Sequence, residues 1–255
     1  MNTTGLDLAG LVSQGVLTRR ALEFLQACVH SRLNVAVCGP QGCGKRAILH
    51  ALVSSMNCDG QILAVQNPDE PWLEHKSVTP LRARLPTEDD GPGISRRYLL
   101  GLVPKMHPAG LIVDQVEGEE VVALLQLLLN MDGVLFSVCA GSAMDALLKL
   151  EELALLHGTD ARPSVIRRVL STALHLIVQL DKSPSGQATA LRFAEVRETD
   201  HDDYSLCDIF LAADDEVHAD GAVDLQCSLR PTGERPMFLS RMRALGVCLG
   251  DDFFT

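Results

Sequence analysis

The sequence lacks the long apolar runs and the leader that would place a protein in or across a membrane. No uninterrupted apolar stretch of about 18 residues occurs in the chain, and a transmembrane helix needs roughly that many. The first 17 residues have neither the basic start nor the long apolar core of a signal peptide. We therefore expect a cytoplasmic protein.

Positive charge is also scarce. Lys and Arg together number 22 against 33 Asp and Glu, which gives a net charge of −11. Proteins that bind nucleic acid regardless of its sequence need a basic face. The sequence therefore predicts no nucleic-acid partner.

The spacings that mark structural metal sites are missing. The chain has eight cysteines without a CxxC pair, and eight histidines without an HxxxH or HExxH pattern. The cysteines are scattered among apolar residues, as buried reduced thiols are in cytosolic proteins. We expect neither a metal site nor a disulfide framework.

What the sequence does contain is an alternation of short apolar runs and helical patterns. The run Asn34–Cys38 predicts a buried strand, and a glycine-rich turn and a helix follow it. Such alternation predicts an α/β fold with a mostly parallel sheet and helices on both faces. Further strands are predicted at Leu111–Val113 and Val134–Val138, and helices at Arg46–Ser54, Glu119–Leu129 and Ala143–Leu156.

The pattern changes after the last of these helices. Leu174–Leu180 and Leu191–Glu198 predict a β-hairpin around the turn Ser183–Gly186. The segment His75–Pro92 is rich in Pro, Glu and Asp, which predicts a loop.

The two ends of the chain are predicted to belong to one domain. Thr18 is a candidate N-cap, because apolar residues recur at helical spacing after it. From about Cys207 onward the signals are weak. We expect residues 1–210 to form the domain, and residues 211–255 to form a small C-terminal appendage of it.

The glycine-rich turn has the form of a phosphate-binding loop, GxxxxGK[ST], except at its last position. In such loops glycines let backbone N–H groups surround a phosphate chain, the lysine reaches its end, and the Ser or Thr hydroxyl holds Mg²⁺. Arginine stands in place of that hydroxyl here, and arginine cannot bind a metal. We predict a site for ATP or ADP and leave the role of Mg²⁺ open. The predicted nucleotide-binding residues are Gly39, Pro40, Gln41, Gly42, Cys43, Gly44, Lys45 and Arg46.

Nearly the whole chain resembles the C-terminal ATPase domain of CpaF/TadA-type secretion ATPases, the motors of Tad pili within the type II/IV secretion superfamily. The resemblance implies a RecA-like P-loop NTPase domain. It also implies a homo- or hetero-oligomeric ring with nucleotides between subunits, docked on inner-membrane secretion or pilus platform proteins. Besides the glycine loop, its carriers are Leu17–Leu25, Arg32–Val35, Lys105–Pro108, Leu111–Val113, Asp132–Leu135, Asp145–Leu148, Ile166–Arg168, Leu176–Gln179 and Thr232–Pro236.

Several family motifs are altered where the resemblance places their chemistry. The family has threonine at Arg46, the Walker B glutamate at Gln115, histidines at Met131 and Cys139, and an acidic pair at Gln66–Asn67. Phosphoryl transfer depends on positioning and electrostatics, so these losses together should nearly abolish turnover. The resemblance therefore implies a non-catalytic or regulatory subunit, a pseudo-ATPase. We assign no catalytic residue and no metal ligand.

Two other functions stay open. A slow but active ATPase would need Asp114 to hold magnesium and Glu117 or Glu119 to replace the glutamate missing at Gln115. A purely structural scaffold would bind no nucleotide, and bulky side chains over Gly42 and Gly44 would favour it.

Asp114 ends a predicted strand, where a Walker B metal ligand often lies. A basic residue, Arg46, and this acidic residue occur at motifs that face each other. We predict that the Arg46 guanidinium reaches Asp114 and takes the place of the missing metal, and a separation above about 6 Å would contradict this. The other interpretation leaves Arg46 in solvent at the helix start.

Three more arginines, Arg84, Arg96 and Arg97, lie where the family carries arginines that approach a nucleotide. The other interpretation is ordinary surface charge. We favour it slightly, because Pro80 replaces another arginine of that loop.

Overall fold

The computed structural model describes residues 8–56, 60–67, 73, 75–86, 93–158, 161–182, 186–199, 203–213 and 228–255. A nine-stranded sheet runs through this part of the chain. None of the helices within these ranges is long and apolar enough to cross a membrane. Residues 183–185 of the predicted turn and residues 87–92 of the predicted loop lie outside the described ranges.

Nine strands form the sheet: β1 (Val35–Gly39), β2 (Ile62–Gln66), β3 (Val78–Arg82), β4 (Gly110–Val116), β5 (Val134–Cys139), β6 (Leu176–Lys182), β7 (Ala188–Glu198), β8 (Tyr204–Ala212) and β9 (Leu229–Pro231). Their spatial order is β3-β2-β4-β5-β1-β6-β7-β8-β9. All pairs from β3 across to β6 are parallel, and those from β6 to β9 are antiparallel. The predicted mostly parallel α/β sheet with a hairpin near its end is confirmed.

Helices cover both faces of the sheet. Thr18 caps α2, since its hydroxyl oxygen accepts a hydrogen bond of 3.3 Å from the amide of Ala21, as predicted. The helices of the described residues are α1 (Leu8–Ser13), α2 (Arg19–His30), α3 (Lys45–Val53), α4 (Arg96–Met106), α5 (Glu120–Asn130), α6 (Ala143–Leu156), α7 (Pro163–Ala173) and α8 (Leu239–Ala244), with a 3-10 helix at Asp251–Phe254.

Each face of the sheet has its own apolar layer. One layer packs α1, α2, α3 and α8 on the sheet, and the other packs α4 to α7 on the opposite face. In the first layer the ring of Phe24 stacks near those of Phe193, Phe210 and Phe238, with centroids 5.3–6.4 Å apart. Burying each such side chain contributes about 2–3 kcal/mol. Residues beyond 228 therefore share the core of the main domain.

Two of the sequence predictions are corrected by the structure. The predicted loop at His75–Pro92 contains β3, and its Pro80 is tolerated because β3 lies at the edge of the sheet. The sequence pattern after Cys207 gave no strand prediction, although most of β8 lies there. β8 continues to Ala212, across the predicted boundary at residue 210. The pattern is weak because several consecutive residues of β8 are partly exposed, so that buried and exposed positions do not alternate as in a regular strand.

The carboxyl ends of β1, β5 and β4 define one edge of the sheet. β1 runs into the glycine loop, and β4 ends in the segment that follows Asp114. β5 lies between them and pairs in parallel with both. In open α/β sheets ligands bind in the crevice outside this edge.

Candidate functional site

The phosphate loop, which we define as residues 39–45, joins β1 to α3. Gly42 and Gly44 have φ angles of 74° and 89°, values that residues with side chains rarely adopt. Gly44 directly precedes α3, so the amino end of that helix opens onto the loop. The glycines of the motif are therefore required by the turns they make.

Lys45 is the first residue of α3 and is buried. Its ammonium donates hydrogen bonds of 2.7 Å to the carbonyl oxygens of Gly39 and Pro40. The thiol sulfur of Cys43 lies 4.0 Å from the same nitrogen. The lysine thus links two carbonyl groups of the loop, and its ammonium group lies inside the loop.

Arg46 forms the predicted ion pair with Asp114. The Nε of Arg46 lies 2.7 Å from Oδ2 of Asp114, well within the 6 Å limit, so the predicted contact is confirmed. The Asp114 side chain is only 3% exposed, and its other oxygen accepts a hydrogen bond of 3.0 Å from the hydroxyl of Ser137 on β5. A buried carboxylate is stable only when paired and hydrogen-bonded, and these two partners meet both needs.

Gln115 occupies a bulge at the end of β4. Its φ is 45°, in the left-handed region, and the register with β5 shifts between Val113 and Val116. The amide of Gln115 donates to the Ser137 hydroxyl at 2.8 Å. Its side-chain amide donates to the Glu117 carboxylate at 3.0 Å. The Gln115 side chain is therefore neutral and bonded to a neighbouring carboxylate.

Arg96 is a structural residue of this site, a role that the sequence did not reveal. Its guanidinium donates to the carbonyl oxygens of Asp114 and Gln115, the latter at 2.9 Å. The same group pairs with Glu120 at 3.0 Å, and both side chains are about nine-tenths buried or more. These bonds hold the strained bulge of β4, which offsets the cost of its left-handed residue.

Different contacts are seen for the other two arginines. Arg97 pairs with Glu119 at 3.6 Å on the surface of α4 and α5. Arg84 forms a backbone bridge with Ile94. The interpretation as surface charge is wrong for Arg96, which is buried, and for Arg97 it stays a prediction.

One implied position is also corrected. The resemblance places a histidine at Met131 near the end of the phosphate chain. Met131 precedes β5 and therefore lies at the amino edge of the sheet, opposite the loop, where its carbonyl accepts from Asn34. Cys139 ends β5 at the same edge as the loop. Gln66, in the place of an acidic residue, is buried and donates to the carbonyl of Leu73 at 3.3 Å.

One thiol, that of Cys38, directly precedes the phosphate loop, and another, that of Cys43, lies within it. Burial raises the pKa of Cys38 to about 12, and the neighbouring Cys43 adds to that shift. Burial raises the pKa of Cys43 as well, and the nearby Lys45 opposes the shift. Both groups are protonated near neutral pH and serve as packing. The six cysteines of the described residues are free thiols.

The residues present do not fit a magnesium ion of the usual kind. The position of the hydroxyl ligand is Arg46, and the buried carboxylate of Asp114 is already paired with it. No group of three His, Cys, Asp or Glu side chains suited to a metal occurs in the described part of the chain. A nucleotide fits better, because the loop keeps its glycine turns and its lysine.

Comparison with known proteins supports the assignment of the chain to a mostly parallel α/β fold. A family model described as "Type II/IV secretion system protein" matches residues 1–207. A candidate conjugal transfer protein of Mycobacterium tuberculosis is 26% identical over 195 residues, which are 76% of this chain and 55% of that protein. Protein VirB11 of Rhizobium radiobacter is 24% identical over 161 residues, covering 61% of this chain and 46% of VirB11. The chain thus spans about half the length of the curated relatives it matches.

Solved structures share the architecture at lower identity. The VirB11 ATPase from the Brucella suis type IV secretion system, in complex with sulphate, superposes with a TM-score of 0.59 at 18% identity, over 73% of this chain and 54% of that one. The pilus retraction motor PilT with bound ADP gives a TM-score of 0.52 at 17% identity, over 74% of this chain and 52% of PilT. With most of its length matched by the family model, the chain belongs to the type II/IV secretion system protein family.

Proposed function

We propose that this chain is a pseudo-ATPase of the CpaF/TadA branch of the family, which binds ATP or ADP without efficient hydrolysis. The glycine turns and Lys45 support nucleotide binding, because they are the parts of the motif that hold phosphate. The replaced groups support weak or absent turnover. The proposed nucleotide-binding residues are those of the phosphate loop together with Arg46.

The ion pair between Arg46 and Asp114 carries the proposal. A divalent cation at this place would stand beside a guanidinium and would compete for a carboxylate that already has two partners. A charged pair of this kind supplies one positive group in the position where the metal would act. Nucleotide binding is therefore expected to be indifferent to Mg²⁺.

The β4 bulge supports the second half of the proposal. Hydrolysis needs a carboxylate that can orient and polarise water. Gln115 has no such group, and its side-chain amide is engaged with Glu117. Positioned charges supply most of the acceleration in phosphoryl transfer, so their loss is expected to leave little turnover.

We further propose that the chain acts through assembly. The resemblance implies a homo- or hetero-oligomeric ring, with an active secretion ATPase as one candidate partner, docked on the inner-membrane pilus or secretion platform. Exposed apolar side chains on α6 and α7, among them Leu148, Leu156 and Val165, support a protein contact. A subunit without catalytic groups would contribute an interface and a nucleotide-dependent shape.

Calorimetric titration with ATP and ADP, in Mg²⁺ and in EDTA, tests the proposal. We expect micromolar binding that is equal in both buffers and is lost in Lys45→Ala. The paired change Arg46→Thr and Gln115→Glu restores the family residues and should make binding depend on Mg²⁺. Binding that requires Mg²⁺ in the unaltered chain would overturn the proposal.

A slow ATPase is the second candidate, and one contact favours it. The Glu117 carboxylate lies 3.0 Å from the Gln115 side chain, so a carboxylate does stand beside the Walker B position. This candidate predicts a Mg²⁺-dependent release of phosphate that falls in both Lys45→Ala and Glu117→Gln. The matched control is Glu152→Gln, a change on the exposed face of α6.

A pure scaffold is the third candidate. Its support is the pair of hydrogen bonds by which Lys45 closes on the loop's own carbonyls. The neighbours of Gly42 and Gly44 are the flexible Lys182 and the small Ala188 rather than bulky apolar side chains. Absence of binding at millimolar nucleotide would establish the scaffold over the pseudo-ATPase.

A further inference from the structure

Strand β6 extends past the point where β1 turns into the phosphate loop. The two strands pair in parallel from Val35 with Leu176 up to Cys38 with Gln179. β1 ends one residue later at Gly39, whereas β6 continues to Lys182. The contact is close, since a Cβ added to Gly39 would meet the carbonyl oxygen of Leu180 at 2.5 Å. The end of β6 therefore forms one border of the loop.

One cross-strand pair of the β6–β7 hairpin lies directly on the loop. Lys182 and Ala188 are partners in the antiparallel register. A Cβ added to Gly42 would meet the Lys182 ammonium nitrogen at 3.1 Å, and one added to Gly44 would meet the Ala188 methyl at 2.9 Å. The side chains of directly opposed residues in a hairpin point to the same face of the sheet. Here the phosphate loop lies against that face. The pair thus brings a lysine and a small residue against the two central glycines.

The hairpin is tied to the rest of the domain where it approaches the loop. The amide of Ala190 donates to the carbonyl of Val16 at 3.0 Å, and the hydroxyl of Thr189 donates to the carbonyl of Gly15 at 3.5 Å. Seven register pairs join β6 to β7. The position of Lys182 beside the loop is therefore set by strand pairing and does not depend on the lysine's own contacts.

The ammonium of Lys182 forms no ion pair with any of the described residues. No carboxylate of those residues lies within ion-pair distance of its ammonium, and the neighbouring Asp181 accepts a hydrogen bond from the lysine's own backbone amide instead. Lys45 and Arg46, by contrast, each have partners within the site. In the described part of the site, Lys182 is therefore a cation that is available for an added anion.

We propose that Lys182 is a second lysine of the nucleotide site, which binds phosphate oxygens of ATP or ADP beside Lys45. The inference rests on the proposed function. Where the pair of Arg46 and Asp114 takes the place of Mg²⁺, protein cations must balance the polyphosphate charge, and a lysine does so as a point charge. Ala188, the register partner of Lys182, presents only a methyl group to the loop.

Titration with ADP and with inorganic pyrophosphate in EDTA tests this role. Pyrophosphate has no base or sugar, so it isolates the phosphate contacts. We expect Lys182→Ala to weaken both ligands about tenfold or more, and Lys182→Arg to retain most of the affinity, because a charge-assisted hydrogen bond is lost in the first and kept in the second. The control is Lys105→Ala, which removes an exposed lysine on α4.

Two further readouts separate ligand binding from a structural role. Lys182→Ala should leave the thermal unfolding midpoint of the unliganded protein unchanged, and should reduce the salt dependence of pyrophosphate binding. If Lys182→Ala binds ADP like the unaltered chain while Lys45→Ala weakens it tenfold, the role of Lys182 is overturned and the proposed function stands. If the unaltered chain binds neither ligand at millimolar concentration, both are overturned.

Discussion

Two buried polar side chains at opposite ends of the parallel strands, those of Asn34 and Asp114, are satisfied in different ways. The side chain of Asn34, before β1 at the amino edge, is bonded to backbone groups. Asp114, at the carboxyl edge, is bonded to the side chains of Arg46 and Ser137. The amide of Asn34 donates to the carbonyls of Leu128, Met131 and Ala173, and its oxygen accepts from the amide of Val134.

Asn34 and Asp114 differ in whether their partners depend on the identity of other residues. Backbone partners exist whatever side chains surround them, so Asn34 fixes how β1, β5 and two helices meet. Side-chain partners exist only while those residues are kept, so the state of Asp114 depends on Arg46. The amino edge can thus remain fixed while the carboxyl edge, where ligands bind in such sheets, changes its chemistry.

The largest expected effect is at Asn34. Asn34→Ala leaves three carbonyls and one amide without their partner, and it should lower the free energy of unfolding by about 4 kcal/mol. Urea unfolding followed by circular dichroism measures this. Asn130→Ala removes an exposed amide at the end of α5 and should change stability by less than about 0.5 kcal/mol. Equal effects of the two changes would contradict the structural role of Asn34.

The amino edge should also show a pH dependence through His175. Burial, followed by the Arg241 guanidinium at 3.1 Å, lowers the pKa of His175 to about 4. The unfolded histidine titrates near 6.5, so below that pH the unfolded state takes up a proton that the folded state does not. This contribution to stability is complete above pH 6.5 and is lost as the pH falls towards 4, by about 3 kcal/mol.

Unfolding curves between pH 4 and 7 measure this loss. His175→Gln removes the titrating group and should flatten the fall, although its stability near pH 7 will differ. The exposed His30→Gln serves as the control and should leave the profile as it was. A profile unchanged in His175→Gln would show that other groups cause the loss.

The carboxyl edge is tested by a double-mutant cycle on the ion pair. Arg46→Ala leaves the buried Asp114 carboxylate with Ser137 alone, and should cost about 2 kcal/mol, less than for a fully buried pair because Arg46 is 32% exposed. Adding Asp114→Asn to Arg46→Ala should recover part of that loss, since no unpaired charge remains. Strictly additive effects in chemical denaturation would mean that the two side chains are not coupled.

The smallest expected effect concerns the loop glycines. Gly44→Ala places a methyl group at a φ of 89° and against Ala188, which should destabilise the protein by about 1–2 kcal/mol. Gly101→Ala, in the middle of α4 with open space around it, should instead stabilise by about 0.5–1 kcal/mol. Thermal unfolding distinguishes the two signs, and the same sign for both would refute the loop conformation.

Much of the site could be predicted because its signals are local. The spacing of Gly39, Gly42 and Gly44 before a helical pattern indicates the phosphate loop without knowledge of the fold. The contact between Arg46 and Asp114 could also be predicted. Arg46 comes directly after the phosphate loop and Asp114 lies at the end of a predicted strand, and the resemblance places these two motifs opposite each other. Ser137 had a usable signal too, as the one hydroxyl residue in an otherwise apolar strand.

The sequence by itself thus determined the alternation of strands and helices and the glycine turns of the phosphate loop, and the resemblance adds that Gln115 stands where the family has its Walker B glutamate. Only the tertiary structure decided that Lys182 lies on Gly42, that Arg96 holds the β4 bulge, and that Met131 lies at the opposite edge. Periodicity encodes local conformation and burial, whereas contacts between distant segments depend on strand order and register, which no local pattern contains.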